Sequence, residues 1–271
     1  MIDTKERNAA QDAPTTEEFK RLYAATFERA DDYEKRLEDR FITVVGGRLT
    51  LRRAELLHFN RTWLDRDRKL ILIPYFEDCD CSYCYGRAKN YAEDRDMTVE
   101  EAMEYTWSPK TEAGVRAIYY GWSAQTIDAV ERFADDVGEL DMDIGTINRR
   151  VDKLAEYAGI QHNMYPHALR ASAAFFWADL GLEAAYLQAI MGWGSIEVAV
   201  AYLRASGRQL AQRIERAFAI GGMDRPDPVP EDDLLPPNDE AVEQTADQST
   251  AAPGRNQSLF QWDETQSETP S

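Results

Sequence analysis

The spacing of apolar positions divides the chain into a helical start, a short β-prone centre and a helical second half. Between Thr15 and Gly47, Phe19, Leu22, Tyr23 and Phe27 fall near helical spacing. This predicts helix, with Thr15 or Thr16 and Glu18 as its start signal and Gly46-Gly47 as its break. A second helix is predicted over LTLRRAELLHF, with Leu49, Leu56 and Phe59 on its apolar face. The pattern then shortens to strands: Thr62-Trp63-Leu64, a charged turn, and Leu70 through Pro74. After an acidic helical stretch near MTVEEAMEY, the segment YTWSPKTEAGVRAIYYG predicts a hairpin. Its turn would run from Pro109 to Gly114 and its second strand from Val115 to Tyr119.

From Ser123 onward the pattern is helical. SAQTIDAVERFADDVG has a Ser cap and a Gly stop, and TINRRVDKLAEYAG repeats that logic with Thr146 and Gly159. PHALRASAAFFWADLG places Pro166 at a first helical position. EAAYLQAIMGWG, SIEVAVAYLRA and SGRQLAQRIERAFAIGG complete the set. The fold class is therefore mainly α with a small antiparallel β-sheet, an α+β arrangement. Residues 1–15 are expected as a disordered leader, 16–222 as one domain with a cysteine-containing insertion at about 75–105, and 223–271 as an acidic disordered tail. No repeat, no apolar run of membrane-spanning length and no secretory signal is found, so no membrane partner and a cytoplasmic location are expected.

Charge complicates any reading that involves nucleic acid. The chain has 49 Asp and Glu against 31 Lys and Arg, a net −18, whereas DNA-binding domains are usually basic. The excess is uneven: residues 223–271 hold twelve acidic and two basic residues, while 149–222 hold six acidic and eight basic. An acidic surface is compatible with a halophilic source, because molar salt screens carboxylate repulsion within about 3 Å.

All three cysteines, Cys79, Cys81 and Cys84, lie in FEDCDCSYCYG. An odd number in so short a stretch does not make a disulfide framework. Cys81 and Cys84 have the C-x₂-C spacing of thiolate zinc sites, and Cys79 supplies a third sulfur. A structural zinc is one of two readings, with Asp78, Asp80 and His58 as candidates for a fourth ligand that the spacing does not single out; the other is three reduced thiols stabilising a loop by packing.

The chemistry-bearing residues stand further along. His167-Ala-Leu-Arg170 opens a helix, Leu180-Gly-Leu182 and Ile190-Met-Gly-Trp193 follow, and Tyr202 comes nine residues after Trp193. Upstream stand Thr50-Leu-Arg-Arg-Ala-Glu-Leu56 and Pro109-Lys-Thr-Glu-Ala-Gly-Val-Arg116. In this order the motifs resemble those of the tyrosine recombinase (integrase) family, over roughly residues 40 to 220. The resemblance implies a catalytic domain of helical fold with a β-hairpin, cutting and rejoining DNA through a 3′-phosphotyrosyl intermediate with no cofactor needed for the chemistry. It places the first arginine at Arg52, favoured over Arg53 by its position in the motif, the lysine at Lys110 and the nucleophile at Tyr202. It also implies double-stranded DNA as partner and a tetramer on two duplexes.

The residue types suit that chemistry. Two guanidiniums, Arg52 and Arg170, can grip the non-bridging oxygens of a phosphodiester in fork geometry. Tyr202, with an ordinary pKa of about 10, needs a base or a positive field, and His167 on the Arg170 face can take its proton. Lys110 can protonate a departing oxygen, and Trp193 offers an indole N–H donor. Glu55 would support the arginines. The family's N-terminal DNA clamp is expected to be absent or reduced to about 30 residues, so an accessory DNA-binding protein is an expected partner. Integration or excision of a mobile element is the leading role. A non-catalytic DNA-binding relative and a strand-nicking, type IB topoisomerase-like enzyme are the alternatives.

Overall fold

The computed structural model describes residues 9–205, and α2 (Tyr33–Gly47) lies at the centre of that region. From Leu37 nearly all of its residues are buried, Phe41 and Val45 completely. A helix that is apolar on several sides needs neighbours on several sides. Those neighbours are α1 (Thr16–Glu28), α6 (Ala124–Asp136), α7 (Ile144–Tyr157) and α8 (Pro166–Asp179). α1 comes so close that a Cβ on Gly47 would lie 2.4 Å from the Phe19 ring. The 15–47 stretch is two helices, not one continuous run. Asp32 leaves the helical conformation and caps α2, its carboxylate accepting from the Lys35 N–H at 2.9 Å. Short acidic side chains favour that role over a helix interior.

The other helix ends follow local chemistry. Thr15 and Glu18 form a capping box on α1, Ser123 caps α6, and Pro166 occupies the first turn of α8. α7 starts earlier than Thr146: Asp143 is its cap and accepts the Thr146 N–H at 2.8 Å. The helix predicted over 49–59 contracts to α3 (Arg53–Leu57), because Thr50 takes a left-handed conformation at φ 66°. Residues 9–15, expected to be disordered, instead form a turn that buries Ala9, Ala10 and Ala13, and the Tyr165 hydroxyl donates to Asp12 at 2.9 Å.

Three antiparallel strands form one sheet in the order β1 (Leu64–Asp65), β2 (Leu70–Ile73), β3 (Arg116–Tyr119). Ile71 pairs with Ile118, and both face the core. The predicted hairpin is corrected here. The partner of β3 is β2, in register from Leu70–Tyr119 to Ile73–Arg116, and residues 105–108 form no strand. Trp107 instead exchanges backbone hydrogen bonds with Glu77, the Glu77 N–H donating at 2.9 Å. Residues 74–115 are therefore one long excursion between the two strands of a hairpin. The excursion holds α4 (Ser82–Arg95) and α5 (Val99–Met103), which bury Ala88, Ala92 and Ala102 against each other. α4 was not legible in the sequence, since its mean hydropathy is low and it buries little but alanine.

α9 (Ala184–Met191) and α10 (Ile196–Ala205) close the described region against α8. The helix predicted from SGRQLAQRIERAFAIGG and the acidic tail lie outside the described residues. Among those described, no helix is long and apolar enough to cross a membrane.

Candidate active site

The site begins at the turn before α3. With Thr50 left-handed, its carbonyl accepts from two buried guanidiniums: Arg170 Nε at 2.9 Å and Arg116 Nη2 at 3.1 Å. A β-branched residue in this conformation is strained by about 1–3 kcal/mol. Its hydroxyl donates to the Ile190 carbonyl at 2.6 Å, which helps to hold it there. Two residues on, Arg52 sits at the N-cap of α3 and donates from Nη1 to Glu55 at 2.8 Å. The Glu55 carboxylate returns to the Arg52 N–H at 2.7 Å. Arg116 grips both Glu55 oxygens, each at 2.9 Å. Burial opposes ionisation of this carboxylate, yet Arg116, Arg52 and Arg170 bring its pKa down to about 2. The result is three arginines around one acid, a cluster with surplus positive charge that suits an anion.

Arg116 is the residue that sequence reasoning passed over. It ends the very motif that nominated Lys110, but an arginine on a β-strand gives no hint from spacing that it will be buried. Its Nε also donates to the Ile190 carbonyl at 2.9 Å, so it ties β3 to the end of α9. The glycine after α9 is forced by this approach. Gly192 has φ 61°, and a Cβ there would lie 2.8 Å from the Ala113 carbonyl oxygen and 3.1 Å from Arg116 Nη1. The Gly192 carbonyl accepts from Arg52 Nη2, and the Met191 carbonyl from Arg170 Nη2.

Beside this cluster, His167, Arg170, Ala171, Met191, Trp193 and Tyr202 line one small pocket. Four of the six sequence-predicted catalytic residues thus meet. His167 and Arg170 share a face of α8 by their spacing of three. Trp193 stacks on Tyr202 with ring centroids 5.2 Å apart. Tyr202 is buried, and burial pushes its phenol above the ordinary value while Arg170 pulls the other way. His167 is crowded by surrounding protein and by Arg170, Arg52 and Arg53, which push its pKa down to about 4, although the residue still opens to solvent. At neutral pH it is an uncharged imidazole, the form that can accept a proton.

Arg52 adjoins this pocket through Gly192. Lys110 lies on the exposed arm of the excursion, before the short turn Glu112–Gly114. That turn passes over Arg52: a Cβ on Gly114 would sit 3.3 Å from Arg52 Nη1. Burial, then Arg52 and Arg87, lower the Lys110 pKa. All six predicted residues therefore belong to one neighbourhood, with Lys110 at its rim.

The cysteines gather at the other end of α3, around its C-cap His58. Asp78 and Asp80, named as alternative fourth ligands, are exposed and lie outside that group.

The fold is similar to that of tyrosine recombinase catalytic domains. No family model matches the chain. It is 25% identical over 167 residues to tyrosine recombinase XerC of Corynebacterium glutamicum, which covers 62% of this chain and 46% of that relative. The XerA recombinase crystal structure aligns over 76% of this chain and 62% of its own, with a TM-score of 0.50 and 17% identity. The Tn1549 transposon integrase, solved with circular-intermediate DNA, aligns over 80% of this chain and 68% of its own, with a TM-score of 0.53 and 17% identity. The chain spans about half the length of the curated relative it matches.

Proposed function

We propose that this chain is a site-specific DNA recombinase of the integrase or excisionase type, acting through a 3′-phosphotyrosyl intermediate. The observation that carries the reading is the shared pocket of His167, Arg170, Trp193 and Tyr202, adjoining the Arg52–Glu55–Arg116 cluster.

The chemistry follows from the residues. A phosphodiester entering the pocket brings the negative charge that the arginine cluster lacks. Arg52 and Arg170 hold its non-bridging oxygens and stabilise the charge that builds on them in the transition state. The Trp193 indole N–H is a further donor to such an oxygen. Tyr202 Oη attacks phosphorus in line while His167 accepts the phenolic proton, so the pair never has to place a free phenolate in a buried site. The P–O bond to the 5′ oxygen breaks, and Lys110 delivers the proton that this oxygen needs to leave. One phosphate ester bond replaces another, so attack by a new 5′ hydroxyl reverses the step and rejoins the strand. No metal or nucleotide enters this balance. Two duplexes held by a homotetramer, with an accessory DNA-binding protein, complete the proposed assembly. Carriage by a mobile element is its proposed setting.

The test is a nicked suicide duplex that traps the covalent intermediate, assayed at low and at molar salt because the chain is so acidic. Wild type should form a protein–DNA adduct, and Tyr202→Phe should bind DNA and form none. Absence of adduct from wild type at every salt would support the non-catalytic relative instead. Strand exchange between two sites, as opposed to relaxation of a supercoiled circle alone, separates recombination from the topoisomerase-like alternative.

A further inference from the structure

The three cysteines take no part in the phosphoryl chemistry, and that chemistry gives no reason for them to converge. We propose that Cys79, Cys81, Cys84 and His58 form a tetrahedral zinc site that fastens the 74–115 excursion to the C-terminal end of α3.

The geometry has the features such a site needs. The three sulfurs and a ring nitrogen of His58 all lie within 4.8 Å of one another. His58 Nε2 is 3.1 Å from the Cys84 sulfur and 3.4 Å from that of Cys81. Zinc with bonds of ~2.3 Å to sulfur sets its ligand atoms about 3.8 Å apart, so closing the widest edge requires side-chain adjustment of about 1 Å. The ligands come from two separate places, a six-residue segment of the excursion and a helix end twenty-one residues upstream of it.

His58 is prepared for the task. Its Nδ1 lies 2.7 Å from the Ala54 carbonyl, a contact only an N–H can make, so Nε2 keeps a lone pair toward the sulfurs. Metal-ligating histidines are typically held by such a second hydrogen bond. The ring is further fixed between Trp107, stacked at 5.0 Å, and Tyr83 at 5.7 Å. On the sulfur side, Cys81 caps α4 and accepts the Cys84 N–H at 3.4 Å, which holds the two sulfurs on one helix start.

The donor set selects the ion. Three soft sulfurs and one imidazole in tetrahedral disposition favour zinc over magnesium, calcium or manganese, which prefer oxygen. Four protein ligands leave no open position, so the role is structural rather than catalytic. Trp107 continues the connection, stacking on Trp63 at 5.3 Å, and Arg87 from α4 donates to the Ser108 carbonyl at 2.7 Å. The ion would brace the arm that returns to Lys110; this consequence rests on the proposed role of Lys110, whereas the metal site does not.

The experiment measures metal on the full chain purified from zinc-replete medium without chelator. About one zinc per chain is expected, released in step with mercurial titration of three thiols. Cobalt reconstitution should give thiolate charge-transfer bands and the visible envelope of a tetrahedral ion. His58→Ala should alter that envelope, and Cys84→Ser should lose the metal. If Cys84→Ser fails to fold, the mercurial titration of wild type still decides. Less than roughly a tenth of an equivalent of zinc, with three freely reactive thiols or a disulfide, overturns the site. A cobalt spectrum unchanged by His58→Ala overturns the fourth ligand. None of these readouts involves DNA, so they stand or fall apart from the recombinase reading.

Discussion

The indole of Trp193 lies flat against the phenol of Tyr202, with planes 16° from parallel, and Phe175 meets the same phenol edge-on at 5.0 Å. The stack joins the turn after α9 to the middle of α10, which is why an interval of nine residues brings the two rings together. It holds the Tyr202 ring in the pocket that His167 and Arg170 also line. Trp193→Leu keeps apolar bulk but removes the flat contact and the N–H. We expect a loss of about 0.5–1.5 kcal/mol in urea unfolding and a far larger fall in adduct formation. A fall no greater than the loss of folded protein would show that the ring only fills space.

Glu55 is expected to govern stability in acid. Its folded pKa of about 2 lies below the ordinary 4.5, so the folded state binds its proton less tightly than the unfolded chain. The contribution is then complete above about pH 4.5 and is lost as pH falls toward 2. Glu55→Gln leaves Arg116 and Arg52 without their counter-charge and should cost roughly 3–5 kcal/mol at pH 7. Denaturant titrations of both proteins between pH 2 and 7 should converge at the acid end. A gap that stays constant across the range would remove the carboxylate from this role.

These two cases show what the sequence made legible. Helix caps and stops such as Ser123, Pro166, Gly138 and Gly159 act through neighbouring residues, so they could be placed from the chain alone. The six chemical residues could be nominated because their order and spacing form a recognisable pattern. What the pattern could not supply was anything that depends on long-range pairing. The partner of β3 lies over forty residues upstream, beyond an excursion that local hairpin signals cannot span. Arg116 gains its importance only by being buried against Glu55, Thr50 and Ile190. Thr50 itself is ordinary as a letter and becomes decisive only through its left-handed backbone.

His167 should set the acid side of the cleavage profile. Crowding by surrounding protein and three arginines hold it down to about 4, so in the free protein it stays uncharged far below the ordinary 6.5. The second-order rate of adduct formation reports the free enzyme. It should therefore remain level as pH drops through 6.5 and decline only on approach to 4. His167→Asn should slow cleavage by about 10²–10⁴-fold and abolish that decline. An acid limb centred near 6.5 in wild type would mean that the imidazole does not feel the arginines, and an unimpaired asparagine variant would exclude it as the base.

Lys110 offers the sharpest separation of chemistry from binding. Its pKa is lowered by burial and by Arg52 and Arg87, which makes its proton easier to surrender. Lys110→Ala should slow cleavage of an ordinary phosphodiester by about 10²–10⁴-fold, the usual contribution of a positioned acid. A substrate with sulfur in place of the departing 5′ oxygen changes the requirement, since a thiolate with a pKa near 8.5 leaves without protonation. On that substrate the alanine variant should approach the wild-type rate, while Arg170→Ala, which removes a grip on the non-bridging oxygens, should remain slow. If sulfur substitution rescues both variants equally, or neither, Lys110 is not the acid. Its charge, which feels Arg52 and Arg87, would then serve to hold DNA at the rim of the site.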